Sequence, residues 1–96
     1  MCGLAGILRF DDQPVATDRL QAMLEQLRHR GPDGEGIARH GPCTLVHARL
    51  SIIDPLGGDQ PMTLARHEEH GELALVFNGE IYNHRSLRQQ LESLGH

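Results

Sequence analysis

The chain has 96 residues, with nine basic and 13 acidic side chains, and its formal net charge is −4 when the seven histidines are counted as neutral. This length allows one small domain or part of a larger one, and an apolar content of 39% favours folding over disorder. Lysine is absent, so the sequence has no polybasic segment for binding phosphates. With two Phe, one Tyr and no Trp it also lacks a stacking platform for bases, and no nucleic-acid partner is expected.

The two cysteines, Cys2 and Cys43, are too few and too far apart in sequence to form a disulfide framework. No positively charged segment precedes the first apolar run, so the N-terminus does not resemble a secretory signal. No apolar run approaches the roughly 20 residues that a membrane span needs. We therefore expect a cytoplasmic chain with reduced thiols and no membrane partner.

The first half of the chain predicts a strand, a helix and a loop. Residues 3–10 are apolar at both alternating positions, which predicts a strand buried on both faces. Thr17 is the expected helix cap. Gly31, Gly34 and Gly36 predict a flexible loop. The apolar face of the helix is expected to consist of Leu20, Met23, Leu24 and Leu27.

The second half predicts three strands and a second helix. Residues 44–53 alternate and predict a strand, with Val46 and Ala48 on its apolar face and His47, Arg49 and Ser51 on the other. A short edge strand is expected from residue 60, a hairpin-like connection over 66–71, and a strand buried on both faces over 73–77. The expected final helix is capped by Asn83, carries Leu87, Leu91 and Leu94 on one face, and ends at Gly95.

Strands that are buried on both faces need a cover on each side, and two helices with one small sheet do not supply it. The sequence also stops at His96, directly after the last predicted helix. We therefore expect a truncated domain.

Cys2 is the first candidate for chemistry. Removal of Met1 would leave one residue with both a thiol nucleophile and an α-amino base, and both groups titrate near neutral pH. The alternative is a small buried side chain without a chemical role.

Arg49 and the pair Asn78-Gly79 are two further candidates. A planar guanidinium binds carboxylates through two hydrogen bonds, although an arginine on a strand more often forms an ordinary salt bridge. A side-chain amide beside a backbone N–H can form an oxyanion hole, but Asn-Gly is also the strongest short signal for a hairpin turn.

The histidines do not suggest a metal site. They show no HExxH pattern and no Cys-x2-Cys partner, so zinc is not expected. His67 and His70 are expected to be solvated, His47 to be a hydrogen-bonded core residue, and Cys43 to be structural. A small metal or redox protein that uses Cys2, Cys43 and histidines is an alternative function.

Five stretches together carry a family resemblance. They are residues 1–6 (MCGLAG), 28–33 (RHRGPD), 47–54 (HARLSIID), 60–62 (QPM) and 78–83 (NGEIYN). In this order they resemble the N-terminal glutaminase domain of class II glutamine amidotransferases, and more narrowly that of the glutamine-hydrolysing asparagine synthetase family. The resemblance implies an α+β fold, the four-layer α/β/β/α sandwich of N-terminal-nucleophile hydrolases.

The resemblance also implies a role for each candidate residue. The Cys2 thiol would attack the side-chain amide of glutamine, its α-amino group would carry the proton, and Asn78 and Gly79 would hold the oxyanion. Arg49 would bind the α-carboxylate of glutamine. The same pocket would be lined by Leu50, Ser51, Ile52, Ile53 and Glu80.

In this family the ammonia passes to a C-terminal synthetase domain, where aspartate is the expected acceptor. ATP and Mg²⁺ are expected only in that domain, and no cofactor is expected in residues 1–96. The family's glutaminase domain also extends past residue 96, into a segment with an acidic residue that binds the glutamine amino group. We therefore expect the chain by itself to be a poor glutaminase, or a non-catalytic fragment that binds glutamine or a partner.

Overall fold

The computed structural model describes residues 1–65 and 71–96 and has five strands and two helices within them. In chain order they are β1 (Gly3–Leu8), α1 (Thr17–Leu27), β2 (Gly34–His40), β3 (Cys43–Arg49), β4 (Met62–Leu64), β5 (Leu73–Leu75) and α2 (His84–Ser93). The predicted α+β class is confirmed.

The main sheet has three antiparallel strands in the order β1-β3-β2. Strand β2 includes Gly34 and Gly36, so the predicted glycine loop over this stretch is wrong. A side chain at Gly36 would place its Cβ 1.9 Å from the carbonyl oxygen of Gln60, and this close approach explains why glycine occupies a strand position.

Helix α1 covers one face of this sheet. Leu20 and Leu24 are fully buried there with Val46 of β3, and Met23 and Leu27 pack against them, as the helical spacing predicts. The cap is different from the predicted one. Ala16 is the N-cap residue and Thr17 is the first residue of the helix, so no side chain caps α1.

Strand β1 is buried on one face only. Gly3 is buried and alternate residues after it are half-buried beneath α1, whereas Leu4 and Leu8 on the opposite face are 43% and 56% exposed. The predicted two-sided burial of this strand is therefore wrong in this structure. The physical reason is that α1 covers one face, and no described element covers Leu4 and Leu8 on the other.

Strand β3 lies at the centre of the sheet and is shorter than predicted. It ends at Arg49, and residues 50–53 continue outside the ladder. His47 and Arg49 share the face away from α1, as the alternation predicts, and both are buried. Burial of two polar side chains on this face is possible because the chain around Gln60 lies against it at Gly36.

Strands β4 and β5 form a separate two-stranded antiparallel sheet. This confirms the short strand expected after Gln60 and the strand expected from Leu73, although the latter ends at Leu75. Most of the predicted connection over 66–71 lies outside the described residues. The predicted two-sided burial of the last strand is wrong, because Leu73 and Leu75 are 47% and 56% exposed.

Helix α2 follows Asn83 as predicted, although the Asn83 side chain makes no capping hydrogen bond. Its end is confirmed. Gly95 has a φ of +87°, its N–H donates to the carbonyl of Glu92, and the N–H of His96 donates to that of Leu91. None of the residues of α2 is buried.

Neither helix in the described part of the chain is long and apolar enough to cross a membrane.

Candidate functional site

A cleft of about 600 Å³ opens where the start of β1, the end of β3 and the segment after β5 meet. This volume is suitable for a small organic ligand. Every predicted site residue lines the cleft except Ser51, whose N–H donates to the Asp33 carboxylate over 2.7 Å. The lining residues are Met1, Cys2, Arg49, Leu50, Ile52, Ile53, Gly58, Gln60, Phe77, Asn78, Gly79, Glu80 and Tyr82.

Cys2 lines this cleft and is held there by hydrogen bonds to Leu50 and Arg30. Its Sγ atom accepts from the N–H of Leu50 at 3.3 Å and lies 3.7 Å from the carbonyl oxygen of the same residue. Its own carbonyl accepts from Nε of Arg30 at 3.2 Å. The residue is partly exposed, so its thiol is both positioned and accessible.

Cys43 is also a free thiol, but it pairs with Leu8 at the opposite end of the β1–β3 ladder from Cys2. The two cysteines therefore lie in different environments, and only Cys2 lines the cleft.

The Arg49 guanidinium is held by the loop that follows β3. Nη1 donates to the Pro55 carbonyl at 3.0 Å and to the Asp59 carboxylate at 2.7 Å, and Nη2 donates to the Asp54 carbonyl at 2.6 Å. An arginine carries five N–H donors, so two remain after these three bonds within the described residues. Arg49 is thus both internally paired and part of the cleft wall, which combines the two roles considered for it from the sequence.

Asn78 and Gly79 follow β5 and precede α2. They do not connect two strands, so the hairpin-turn alternative is wrong. Instead the pair lies at the rim of the cleft that contains Cys2. The tertiary arrangement therefore brings a side-chain amide and a backbone N–H to the same cavity as the thiol.

Sequence reasoning did not assign a role to Gln60, Phe77 or Tyr82, which also line the cleft. For Gln60 a signal was present, since it opens one of the five motifs. Its side chain makes two hydrogen bonds to the backbone of Phe77, which lies 17 residues further along the chain and becomes its neighbour only in the folded protein.

His47 lies on the same face of β3 as Arg49 and is fully buried. Neither ring nitrogen has a hydrogen-bond partner among the described residues, so the expected hydrogen-bonded core histidine is only half right. Burial lowers the pKa of His47 below its usual value of 6.5, the nearby backbone of Phe77 opposes this shift, and the positive charge of Arg49 supports it. Burial therefore favours the neutral form of the ring.

Within residues 1–65 and 71–96, no cluster of three or more His, Cys, Asp or Glu side chains could hold a metal ion.

Comparison with known proteins adds a family to this geometry. A family model described as a glutamine amidotransferase domain matches residues 1–96. An asparagine synthetase (glutamine-hydrolysing) from Asparagus officinalis is 44% identical over 92 residues, which cover 95% of this chain and 15% of that protein. A relative of the same name from Triphysaria versicolor is 45% identical over 92 residues, with the same coverage of each chain.

A third relative, asparagine synthetase (glutamine-hydrolysing) 3 from Arabidopsis thaliana, is 42% identical over 94 residues, or 97% of this chain and 16% of the relative. The chain therefore spans about one sixth of the length of the curated relatives that it matches. No solved structure matches it.

Proposed function

The chain belongs to the glutamine amidotransferase domain family, and we propose that it hydrolyses the side-chain amide of glutamine with Cys2 as the nucleophile. The observation that carries this proposal is the shared cleft. The positioned Cys2, the Arg49 side chain and the pair Asn78-Gly79 all line one cavity of suitable size for an amino acid.

In the proposed first half-reaction, the mature chain begins at Cys2 after removal of Met1. Sγ attacks the amide carbon of glutamine, and the free α-amino group of the same residue takes the thiol proton. The oxygen of the tetrahedral intermediate is held by the Asn78 side-chain amide and the Gly79 N–H. The C–N bond then breaks, the α-amino group returns the proton to the leaving nitrogen, and ammonia departs from a glutamyl thioester.

In the second half-reaction, water attacks the thioester carbon and gives up a proton through the same α-amino group. The C–S bond breaks, the thiol is restored and glutamate leaves. The mechanism routes no step through a metal or an organic cofactor.

Arg49 is proposed to hold the α-carboxylate of glutamine with the two donors that its contacts to the 54–59 loop leave available. The loop carbonyls and Asp59 fix the plane of the guanidinium, so the remaining donors have a defined direction before the substrate arrives. Ile52, Ile53 and Glu80 are proposed to complete the wall around the substrate, with the backbone of Leu50 and Ser51.

We further propose the four-layer α/β/β/α sandwich as the fold of the complete domain. The uncovered face of β1, with Leu4 and Leu8 exposed, supports this proposal, because a second sheet against that face would bury both side chains. The relatives are named as glutamine-hydrolysing asparagine synthetases, which supports use of the ammonia for asparagine formation. We propose that an ATP-dependent synthetase segment carries out this final step and that aspartate is the acceptor.

The test is covalent labelling of the purified protein with a glutamine-like diazoketone, followed by intact-mass measurement and peptide mapping. We expect a protein without Met1 that gains one adduct, on Cys2, and releases ammonia from glutamine at a low but measurable rate. Cys2→Ala should lose both properties. The matched control is Cys43→Ala, which removes the other free thiol and should keep both.

Labelling of Cys43 in preference to Cys2, or ammonia release by Cys2→Ala at the wild-type rate, would overturn the proposal. Glutamine binding by the unaltered protein without an adduct and without ammonia would favour the non-catalytic alternative.

A further inference from the structure

The side chain of Gln60 makes a two-point contact with the backbone of Phe77. Oε1 accepts from the Phe77 N–H at 2.6 Å, and Nε2 donates to the Phe77 carbonyl at 3.0 Å. A primary amide offers one acceptor and two donors, so it can pair with a single residue as a neighbouring strand does. Strand β5 has already ended at Leu75, and Gln60 continues its pairing beyond that end.

Gln60 is itself held in place by the main sheet. Its carbonyl oxygen lies so close to Gly36 of β2 that a Cβ there would be 1.9 Å away. Gly36 in turn pairs with the buried His47 in the centre of the sheet. The Phe77 backbone is therefore linked through one side chain to a segment that lies against the centre of the main sheet.

The position of Phe77 affects the placement of the next two residues, Asn78 and Gly79, in two ways. Asn78 follows it directly, so its backbone starts from the fixed Phe77 carbonyl. In addition, a Cβ at Gly79 would lie 2.8 Å from Cζ of Phe77, so the phenyl ring packs closely against this glycine. A displacement of Phe77 would move both oxyanion donors.

We propose that Gln60 is a positioning residue that aims the Asn78 side-chain amide and the Gly79 N–H into the cleft. This inference rests on the proposed glutamine hydrolysis for its catalytic consequence, but the structural link stands on the contacts alone. Such donors must lie within about 3 Å of the place where the oxyanion develops, so a loosened segment weakens them in the transition state more than it weakens ground-state binding.

The first measurement is amide hydrogen exchange, followed by NMR, on Gln60→Ala and on the unaltered protein. We expect exchange at Phe77, whose N–H loses its acceptor, to rise at least tenfold. The amide resonance of Gly79 should shift, while exchange at Val46 in the centre of β3 stays unchanged. The control is Gln21→Ala, which removes an exposed glutamine from α1 and should alter none of the three amides.

The second measurement is the steady-state kinetics of ammonia release. We expect Gln60→Ala to lower kcat by roughly 10- to 100-fold, below the loss of about 10²–10³ that follows removal of a whole oxyanion donor. KM for glutamine should change less than threefold, since Arg49 and its loop are untouched. A smaller folded fraction would also lower the apparent kcat without changing KM, so kcat is calculated per Cys2 site that the diazoketone labels. A purely structural role would then leave this corrected kcat unchanged.

Two outcomes would overturn the inference: unchanged exchange at Phe77 with an unshifted Gly79 amide resonance in Gln60→Ala, or both changes with an unchanged kcat. Should Gln60→Ala also lose protection at Val46, the same measurements are made on Gln60→Glu, which keeps the side-chain length and the acceptor oxygen. Failure of the proposed function is a separate result, because an unaltered protein that releases no ammonia still gives the exchange comparison.

Discussion

Cys2 and Arg49 are positioned by backbone groups of neighbouring segments. Leu50 holds the thiol, and the carbonyls of Asp54 and Pro55 hold the guanidinium. Leu50, Asp54 and Pro55 all belong to the segment that follows β3. The same segment therefore holds both the nucleophile and the proposed carboxylate-binding group. Their relative position is therefore set by a single strand end.

His47 gives a prediction about pH at the scale of one residue. Its pKa is lowered by burial, so the unfolded chain takes up a proton near pH 6.5 and the folded chain takes it up only at a lower pH. The unfolded state then binds more protons, and the free energy of unfolding falls as the pH drops below about 6.5, by at most about 1.4 kcal/mol per pH unit. His47→Leu removes this contribution.

We therefore expect the difference in free energy of unfolding between His47→Leu and wild type to change in favour of the variant as the pH is lowered from 7.5 to 5.5. Urea unfolding at the two pH values measures it. His29→Leu, at an exposed position after α1, is the control and should not change the difference. Parallel pH dependence in His47→Leu and wild type would show that His47 does not titrate differently on folding.

At the scale of elements, strand β2 shows how a glycine can specify a contact between segments. Gly36 leaves room for the carbonyl of Gln60, whereas Gly34, two residues earlier, faces only Cβ of Arg49 at 3.8 Å from an added Cβ. The two glycines lie on the same face of one strand. The chain at Gln60 lies directly against Gly36 and does not approach Gly34 as closely.

Gly36→Ala should lower the free energy of unfolding by about 1–3 kcal/mol, because the added methyl group must displace the backbone of Gln60. Gly34→Ala should change it by less than about 0.5 kcal/mol, since its Cβ makes an ordinary contact. Urea unfolding of both variants gives the comparison. Equal effects would mean that the crossing at Gln60 is not tight in the folded protein.

At the scale of the whole molecule, the chain is more extended than a closed domain of its length. Its radius of gyration is 15.2 Å, compared with about 12.5 Å expected for 96 residues in a compact fold. The core is confined to the contact between α1 and the main sheet. The apolar face of α2 is left outside this core, with Leu87 and Leu91 39% and 51% exposed.

This separation predicts unequal costs for two equivalent leucine substitutions. Leu24→Ala, in the core beneath α1, should lower the free energy of unfolding by about 2–5 kcal/mol. Leu91→Ala, on α2, should cost less than about 0.5 kcal/mol, because little surface becomes buried there. Chemical denaturation of both variants tests this, and similar losses would show that α2 packs onto the body of the protein.

The sequence by itself determined the positions of the two helices and indicated the candidate site residues. The spacing of leucines 20, 24 and 27 is sufficient for α1, because helical periodicity depends only on neighbouring residues. Gly95 likewise predicts the end of α2 through its left-handed φ. The candidate residues Cys2, Arg49, Asn78 and Gly79 were recognisable from their chemistry and from the family motifs that contain them.

Only the tertiary structure decided which faces are covered and how the site is held together. Strand β2 was missed because glycine has low strand propensity, and the reason for Gly36 is a segment 24 residues further along the chain. Two-sided burial of β1 was wrongly predicted because apolar composition does not reveal whether a second layer is present. The pairing of Gln60 with Phe77 has no local signature, since hydrogen bonds between distant segments follow from the path of the folded chain.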